Sequence, residues 1–474
     1  MPDDLYRLAL TVLQPGYEET SVPDWLRRLL GEGLGGTILF ARNDPSRQVV
    51  DRLRAENPGV VVAIDEEGGA VTRLEVTAGS SFPGNRALGV VDDVVLTERV
   101  GRQIGRMLAK ADITLNYAPS ADVNSNPANP VIGVRSFGPT ADLVSRHTVA
   151  YVNGVQGAGV AACAKHFPGH GDTVTDSHLN LPTVHAAREV LFQRDLPPFR
   201  AAIRAGVRAV MTGHLLVPAL DPEVPATLSR TVLTELLRGE LGFDGMLVTD
   251  AIEMRAVAAL FSPGEIAVRA LAAGADAICM GHATEQLVRE VCAAVVAAVR
   301  AGTLPEERLA EAAERVLSLS EWYSKQADLR EQALADPGVG LEAARRALTV
   351  TGEGRLERAP LVVEVNTRLN RAVDPSTPTG ITAALTAALP GTARVQLAAG
   401  DELPAFDERP VVLVVHDAAR HDWVRERVAQ AVTARPDVIV VDTGIPDEPA
   451  GGVHIATHGI SQVAARAAAE WLTR

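Results

Sequence analysis

The sequence predicts an α/β protein: a TIM-type (β/α)8 barrel followed by a smaller α/β sandwich domain. Three observations carry this expectation. Eight short apolar runs rich in β-branched residues alternate with longer amphipathic stretches before residue 285, the pattern of βαβ units and parallel strands. Polar and glycine-rich residues cluster directly after those runs, at the end where such barrels carry their active sites. A second, shorter alternation resumes beyond Pro337 and Gly338. At 474 residues the chain exceeds the ~250 to 300 at which single cores stop growing, so two domains are expected, over residues 1–340 and 341–474.

The eight runs are LALTVL (8–13), GTILFA (36–41), GVVVAID (59–65), ITLNYAP (113–119), GVAACAKH (159–166), RAVMTGH (208–214), GMLVTD (245–250) and ADAICMG (275–281). Each reads as a strand. Between them SPGEIAVRALAAGA reads as a helix, with Ser262 as its cap and Pro263 in its first turn, where the missing proline N–H is no loss. The helical stretch PEERLAEAAERVLSLSEWYSKQ and then LEAARRALTV lead into the second alternation. There the strands LVVEVN, RVQLAAG, VVLVVHD, DVIVVDTG and GVHIATHG are separated by helical patterns such as WVRERVAQAVTA and ISQVAARAAAEWL. That order fits a small doubly wound sheet.

Composition excludes several classes of partner. The chain is 47% hydrophobic and 22% charged, within the range of globular domains. A formal net charge of −14 repels phosphate backbones and anionic lipid surfaces, and no basic run offsets it, so neither nucleic acid nor membrane is an expected partner. No apolar run approaches the ~18 to 20 residues that span a bilayer. The opening MPDDLYRLALTVLQPG is acidic where a secretory signal is basic. Cys163, Cys279 and Cys292 are widely spaced in apolar contexts, which suits reduced thiols better than disulfides or a zinc site. A cytoplasmic protein is expected, of unassigned oligomeric state.

The most informative stretch is AKHFPGHGDTVTDSHLNLP, from Ala164 to Pro182. It places Lys165, His166, His170, Asp172, Asp176 and His178 in a glycine-rich loop after a strand, where function concentrates. Three histidines raise the question of a metal. His166 and His170 alone have i, i+4 spacing, and the intervening Phe-Pro-Gly forbids a regular helix, so neither metal nor cofactor is expected. A loop that merely closes the barrel is the remaining bland reading. The Asp176-Ser177-His178 triplet has a sharper one. A carboxylate two residues from an imidazole can accept from one ring N–H and raise the basicity of the other nitrogen, which suits general acid/base work. Asp250 ends GMLVTD and is read either as a carboxylate at the barrel mouth or as a cap for AIEMRAVAAL. His214, ending RAVMTGH, is equally open between a functional and a core role.

These segments resemble the β-N-acetylglucosaminidase branch of glycoside hydrolase family 3. KHFPGHG followed by DSH is similar to its signature. IDEEGGAVTRL (64–74), NYAPSADVN (116–124), IGVRSFG (132–138), PATLSR (225–230) and GFDGMLVTDAIEM (242–254) are similar to its other motifs in the same order. The resemblance implies a retaining exo-glycosidase that hydrolyses terminal β-linked N-acetylglucosamine, from peptidoglycan fragments. It implies Asp250 as nucleophile, His178 as acid/base with Asp176 as its partner, and Asp65, Arg73, Arg135, Lys165 and His166 as substrate-binding residues. The partner is then a small carbohydrate. Departures are Glu66 and Ala70, where the family usually has Gln and Arg, and Ala251, where an acidic residue is common. The alternatives are an N-acetylglucosamine phosphorylase or a β-glucosidase on the same scaffold, since a histidine acid/base tolerates phosphate as acceptor, and a non-catalytic sugar-binding protein. The C-terminal unit is short for the family's second domain and receives no catalytic role.

Overall fold

The computed structural model describes residues 4–367 and 370–474, so the first three residues of the acidic opening and two positions of the expected second domain lie outside the described residues. The chain forms two compact units. The first gathers residues up to Glu66, Thr97–Ile132 and Pro139–Asp336, and the second gathers Glu67–Leu96, Gly133–Gly138 and Pro337–Arg474.

The first unit is an α/β fold with a curled parallel sheet. Its strands are β1 (Leu13–Pro15), β2 (Gly36–Leu39), β3 (Val61–Ile64), β4 (Leu115–Asn116), β5 (Ala161–Phe167), β6 (Ala209–Thr212), β7 (Met246–Thr249) and β8 (Ile278–Met280). β2 through β7 pair in sequential order in one sheet, and β1 pairs with β8. An isolated parallel bridge joins Val248 of β7 to Ala277 just before β8. Every residue of these eight strands is buried, as expected when helices cover one face of a parallel sheet and a packed interior fills the other. Ile38, Val61, Ala63, Leu115, Cys163, Ala209, Met211, Met246, Val248 and Cys279 share one core cluster. The helix Pro263–Ala273 starts where the sequence places it: Ser262 Oγ accepts from Glu265 N, and Glu265 reaches back to the cap in a capping box.

One strand expectation fails. LALTVL is not a strand: Asp4–Thr11 is an α-helix and only Leu13–Pro15 enters the sheet. Leu5, Ala9, Leu10 and Thr11 are its buried residues, the later three about one turn beyond the first on one helix face, and alanine and leucine are good helix formers.

The second unit holds a six-stranded sheet in the order β11-β10-β12-β13-β14-β9. Its strands are β9 (Thr349–Gly352), β10 (Leu361–Val365), β11 (Ala393–Leu397), β12 (Val411–Val415), β13 (Ile439–Asp442) and β14 (Val453–Ala456). All neighbours are parallel except β14 and β9. One face packs Val362, Val412, Val414, Ile439 and Val441 against Ile381, Leu385, Ala465 and Leu472, and the other packs Val363, Leu413 and Val440 against Val424 and Ala431. The alternation of apolar residues along each strand thus feeds two cores. Among the described residues, no helix is long and apolar enough to cross a membrane.

Candidate active site

Asp65 is the first residue beyond β3, and Lys165 lies near the end of β5. Lys165 Nζ donates to Asp65 Oδ1 at 2.7 Å while the lysine side chain is only 3% exposed. A buried ammonium is costly unless paired, and this carboxylate supplies the pairing. The ladder between β5 and β6 shifts register between Lys165 and Phe167. His166 is the extra residue of that bulge, so consecutive residues meet different carboxylates.

His166 faces Asp122, in the loop after β4, with Nδ1 2.8 Å from Asp122 Oδ2. The same buried carboxylate accepts from His170 N at 2.7 Å and from Ser120 Oγ at 2.9 Å. Burial opposes ionisation of Asp122, but His166 and then His170 outweigh it and hold the carboxyl below its ordinary range. His166 and the start of the following loop are therefore clamped to one anion.

Glycine permits that loop. Gly169 adopts φ +131°, and a Cβ on Gly171 would sit 1.8 Å from Val123 O. His170 then places Nδ1 2.8 Å from Thr173 Oγ1 and Nε2 3.2 Å from Ser177 Oγ. Burial, with His166 beside it, pushes its pKa down to about 4, so the ring is neutral and braces the Asp176–His178 turn from beneath. In that turn the backbone N and the Nδ1 of His178 both reach Asp176 Oδ1, at 2.9 and 2.7 Å. The His178 side chain is 27% exposed. With Nδ1 turned to the carboxylate, Nε2 is the nitrogen left for a reacting group. Burial would raise the Asp176 carboxyl, but the hydrogen bonds and charge of His178 outweigh it and keep it low.

Asp250 is the residue after β7. Its N donates to Thr212 O at 3.0 Å, and its Oδ1 accepts from Ala251 N at 2.8 Å. The cap reading is corrected: the next helix is only Arg255–Ala258, five residues on, and the carboxylate is held by its own neighbour. Burial again opposes ionisation, but His214, His166 and His178, in that order, keep the Asp250 carboxyl below its ordinary range. His214 is buried with Nδ1 2.8 Å from Thr227 Oγ1 and Nε2 3.0 Å from Ala251 O. Burial pushes its pKa down, and its Nε2 faces the Ala251 carbonyl, which can only accept. One nitrogen thus holds the backbone carbonyl next to Asp250 and the other the Thr227 hydroxyl.

Asp65, Lys165, His166, Asp176, His178 and Asp250 all belong to the first unit, whereas Arg73 and Arg135 fall in the second. There Arg73 donates to Ala372 O at 2.8 Å. Arg135 grips Glu67 through two hydrogen bonds of 3.0 and 2.7 Å, both side chains being buried. Asp122 and His170 are the organising residues the sequence did not single out for a role. Asp122 stands inside NYAPSADVN, yet its partners are 44 and 48 residues further on, and no local pattern announces them. Among the described residues, no group of three or more His, Cys, Asp or Glu is arranged to hold a metal ion.

An ionised carboxylate within electrostatic reach of three imidazoles, two of them oriented by carboxylates of their own, is equipped to attack and to move a proton. The family model of the glycosyl hydrolase family 3 N terminal domain matches residues 27–319. A "Beta-hexosaminidase A" from Pseudoalteromonas piscicida is 35% identical over 332 residues, 63% of this chain and 55% of that protein's length, so the chain spans about half of this relative. A "Beta-hexosaminidase" from Chromobacterium violaceum is 33% identical, with 65% of this chain and 91% of that protein covered. Among solved structures, a glycoside hydrolase family 3 β-N-acetylglucosaminidase from Paenibacillus sp. str. FPU-7 superposes with a TM-score of 0.86 at 34% identity, covering 99% of this chain and 96% of that one. A family model matched over more than half of the sequence, with a structural likeness along nearly all of it, places the chain in glycoside hydrolase family 3.

Proposed function

We propose that this chain is a retaining exo-glycosidase that releases terminal β-linked N-acetylglucosamine, with Asp250 as nucleophile and His178, oriented by Asp176, as acid/base. The observation that carries the reading is the 2.7 Å contact between His178 Nδ1 and Asp176 Oδ1, in the same unit as a carboxylate that neighbouring imidazoles keep ionised. The likeness to relatives named β-hexosaminidase supports the choice of sugar.

In the first step an Asp250 oxygen bonds to the anomeric carbon as the glycosidic C–O bond breaks, and protonated His178 gives its Nε2 proton to the departing oxygen. In the second, His178 takes a proton from water, the resulting hydroxide bonds to the anomeric carbon, and the Asp250 carboxylate leaves with net retention. Asp65 and Lys165 offer a fixed acceptor and donor to sugar hydroxyls and His166 a further ring nitrogen; Arg73 and Arg135 are proposed as substrate-binding residues on the family resemblance alone. On this reading the curled sheet is a closed (β/α)8 barrel that carries the chemistry at its C-terminal rim, and the second unit is a small α/β sandwich. Three buried free cysteines suit a reducing cytoplasm, where fragments of peptidoglycan are the natural source of the sugar.

Assays with p-nitrophenyl β-N-acetylglucosaminide test the proposal. Release by the wild type and its loss in Asp250→Ala are expected; no release, or undiminished release by the variant, would sink it. Adding phosphate and looking for sugar 1-phosphate separates hydrolysis from phosphorolysis.

A further inference from the structure

Four strand ends of the first unit build a second group of side chains that the proposed chemistry does not use. His282 lies two residues beyond β8, Glu18 three beyond β1, Phe40 and Arg42 just beyond β2, and Glu253 four beyond β7. The His282 ring stacks on Phe40 with centroids 6.0 Å apart and planes 16° from parallel. Arg42 covers Phe40 with its guanidinium carbon 4.2 Å from the ring centroid. Glu18 hydrogen-bonds His282 Nδ1 and lies 3.5 Å from Arg42 Nε. The backbone N of His282 donates to Glu253 Oε1 at 2.8 Å.

This group adjoins the proposed nucleophile. Gly281 is the point of contact: a Cβ there would meet Glu253 Oε1 at 2.6 Å, the Phe40 ring at 3.4 Å and the Ala251 Cβ at 3.6 Å. Glu253 is raised first by burial and also by the charge of Asp250, and its Oε2 is buried with no hydrogen-bond partner. Despite these ties, His282 keeps its side chain 60% exposed. An exposed ring normally turns freely, and ordering it has an entropic cost. Here the stack, the Glu18 contact and the Glu253 anchor have already fixed it.

We propose that the exposed face of His282 is a leaving-group subsite, which stacks against the pyranose ring on the far side of the scissile bond while Glu18 and Arg42 meet its hydroxyls. A sugar ring presents a face of C–H groups and a rim of hydroxyls that both donate and accept. A flat ring flanked by one carboxylate and one guanidinium matches both features. The inference rests on the glycosidase reading and assigns these residues to the choice of leaving group, with the chemistry left to Asp250 and His178.

Two substrates that differ only in the leaving group test it: N,N′-diacetylchitobiose, which carries a sugar there, and methyl β-N-acetylglucosaminide, which does not. In His282→Ala the ratio of kcat/KM for the disaccharide to that for the methyl glycoside should fall about 3- to 10-fold, the worth of one aromatic stacking contact. His282→Phe should restore most of the ratio, because the ring is kept. A ratio unchanged in His282→Ala, with the wild type turning over both substrates, would overturn the subsite alone. A wild type inert on both would overturn the glycosidase reading, and the subsite with it.

Discussion

Asp122 Oδ2 lies 2.8 Å from His166 Nδ1, and the same carboxylate accepts the backbone N–H of His170 four residues further on. One buried anion thus fixes both the end of β5 and the entry to the loop that carries Asp176 and His178. Truncation to Asp122→Ala strands those donors, so a cost of about 3–5 kcal/mol is expected. Urea unfolding followed by fluorescence measures it, and kcat should fall in parallel. A variant within ~0.5 kcal/mol of the wild type would remove Asp122 from the account, that being the size of an ordinary surface change.

His178 should matter in proportion to the basicity of the leaving group. A good leaving group departs without a proton, whereas an alkoxide does not. His178→Ala is therefore expected to lose about 10²- to 10⁴-fold in kcat/KM on an alkyl glycoside, and markedly less on a dinitrophenyl glycoside. Asp176→Ala should follow the same order with a smaller loss. Equal losses on both leaving groups would show that His178 is not the acid.

Much of this arrangement can be read from the sequence, and the boundary falls at sequence distance. β2, β3, β6 and β7 are legible because their apolar runs stop at glycine or polar residues, and the Ser262 helix because cap, proline and glutamate sit at fixed offsets. LALTVL misleads because a short leucine and alanine run suits helix and strand alike. β9 is missed because Thr349–Gly352 is mostly exposed and reads as the tail of a helix. In the site, the i, i+2 contact of Asp176 with His178 is local and therefore visible. The pairing of Lys165 with Asp65 spans 100 residues, and the Asp122 clamp is equally remote. Such contacts come from strand order, which no window of sequence contains.

The second unit carries its own pH dependence. Asp442 ends β13 fully buried, with Oδ1 accepting from Gly444 N at 2.8 Å. Burial, then Asp417 nearby, pushes its carboxyl up to about 7. The folded chain holds this proton to about pH 7, whereas the unfolded chain releases it near ~3.9. The stability it contributes is complete below ~3.9 and is lost as the pH rises toward neutrality. Asp442→Asn removes the titration, so its Tm advantage over the wild type should be larger at pH 8 than at pH 5. The same Tm difference at both values would contradict the assignment.

Asp250 is the proposed nucleophile. Asp250 is kept ionised by His214, His166 and His178 against the cost of burial, and Ala251 N holds one of its oxygens at 2.8 Å. Incubating the protein with a fluorinated N-acetylglucosaminyl donor, whose glycosyl-enzyme hydrolyses slowly, followed by proteolysis and mass spectrometry, tests it most directly. One added sugar is expected, on the peptide containing GMLVTDAIEM and at Asp250. A label on any other residue, or a product released with inverted anomeric configuration, would contradict it.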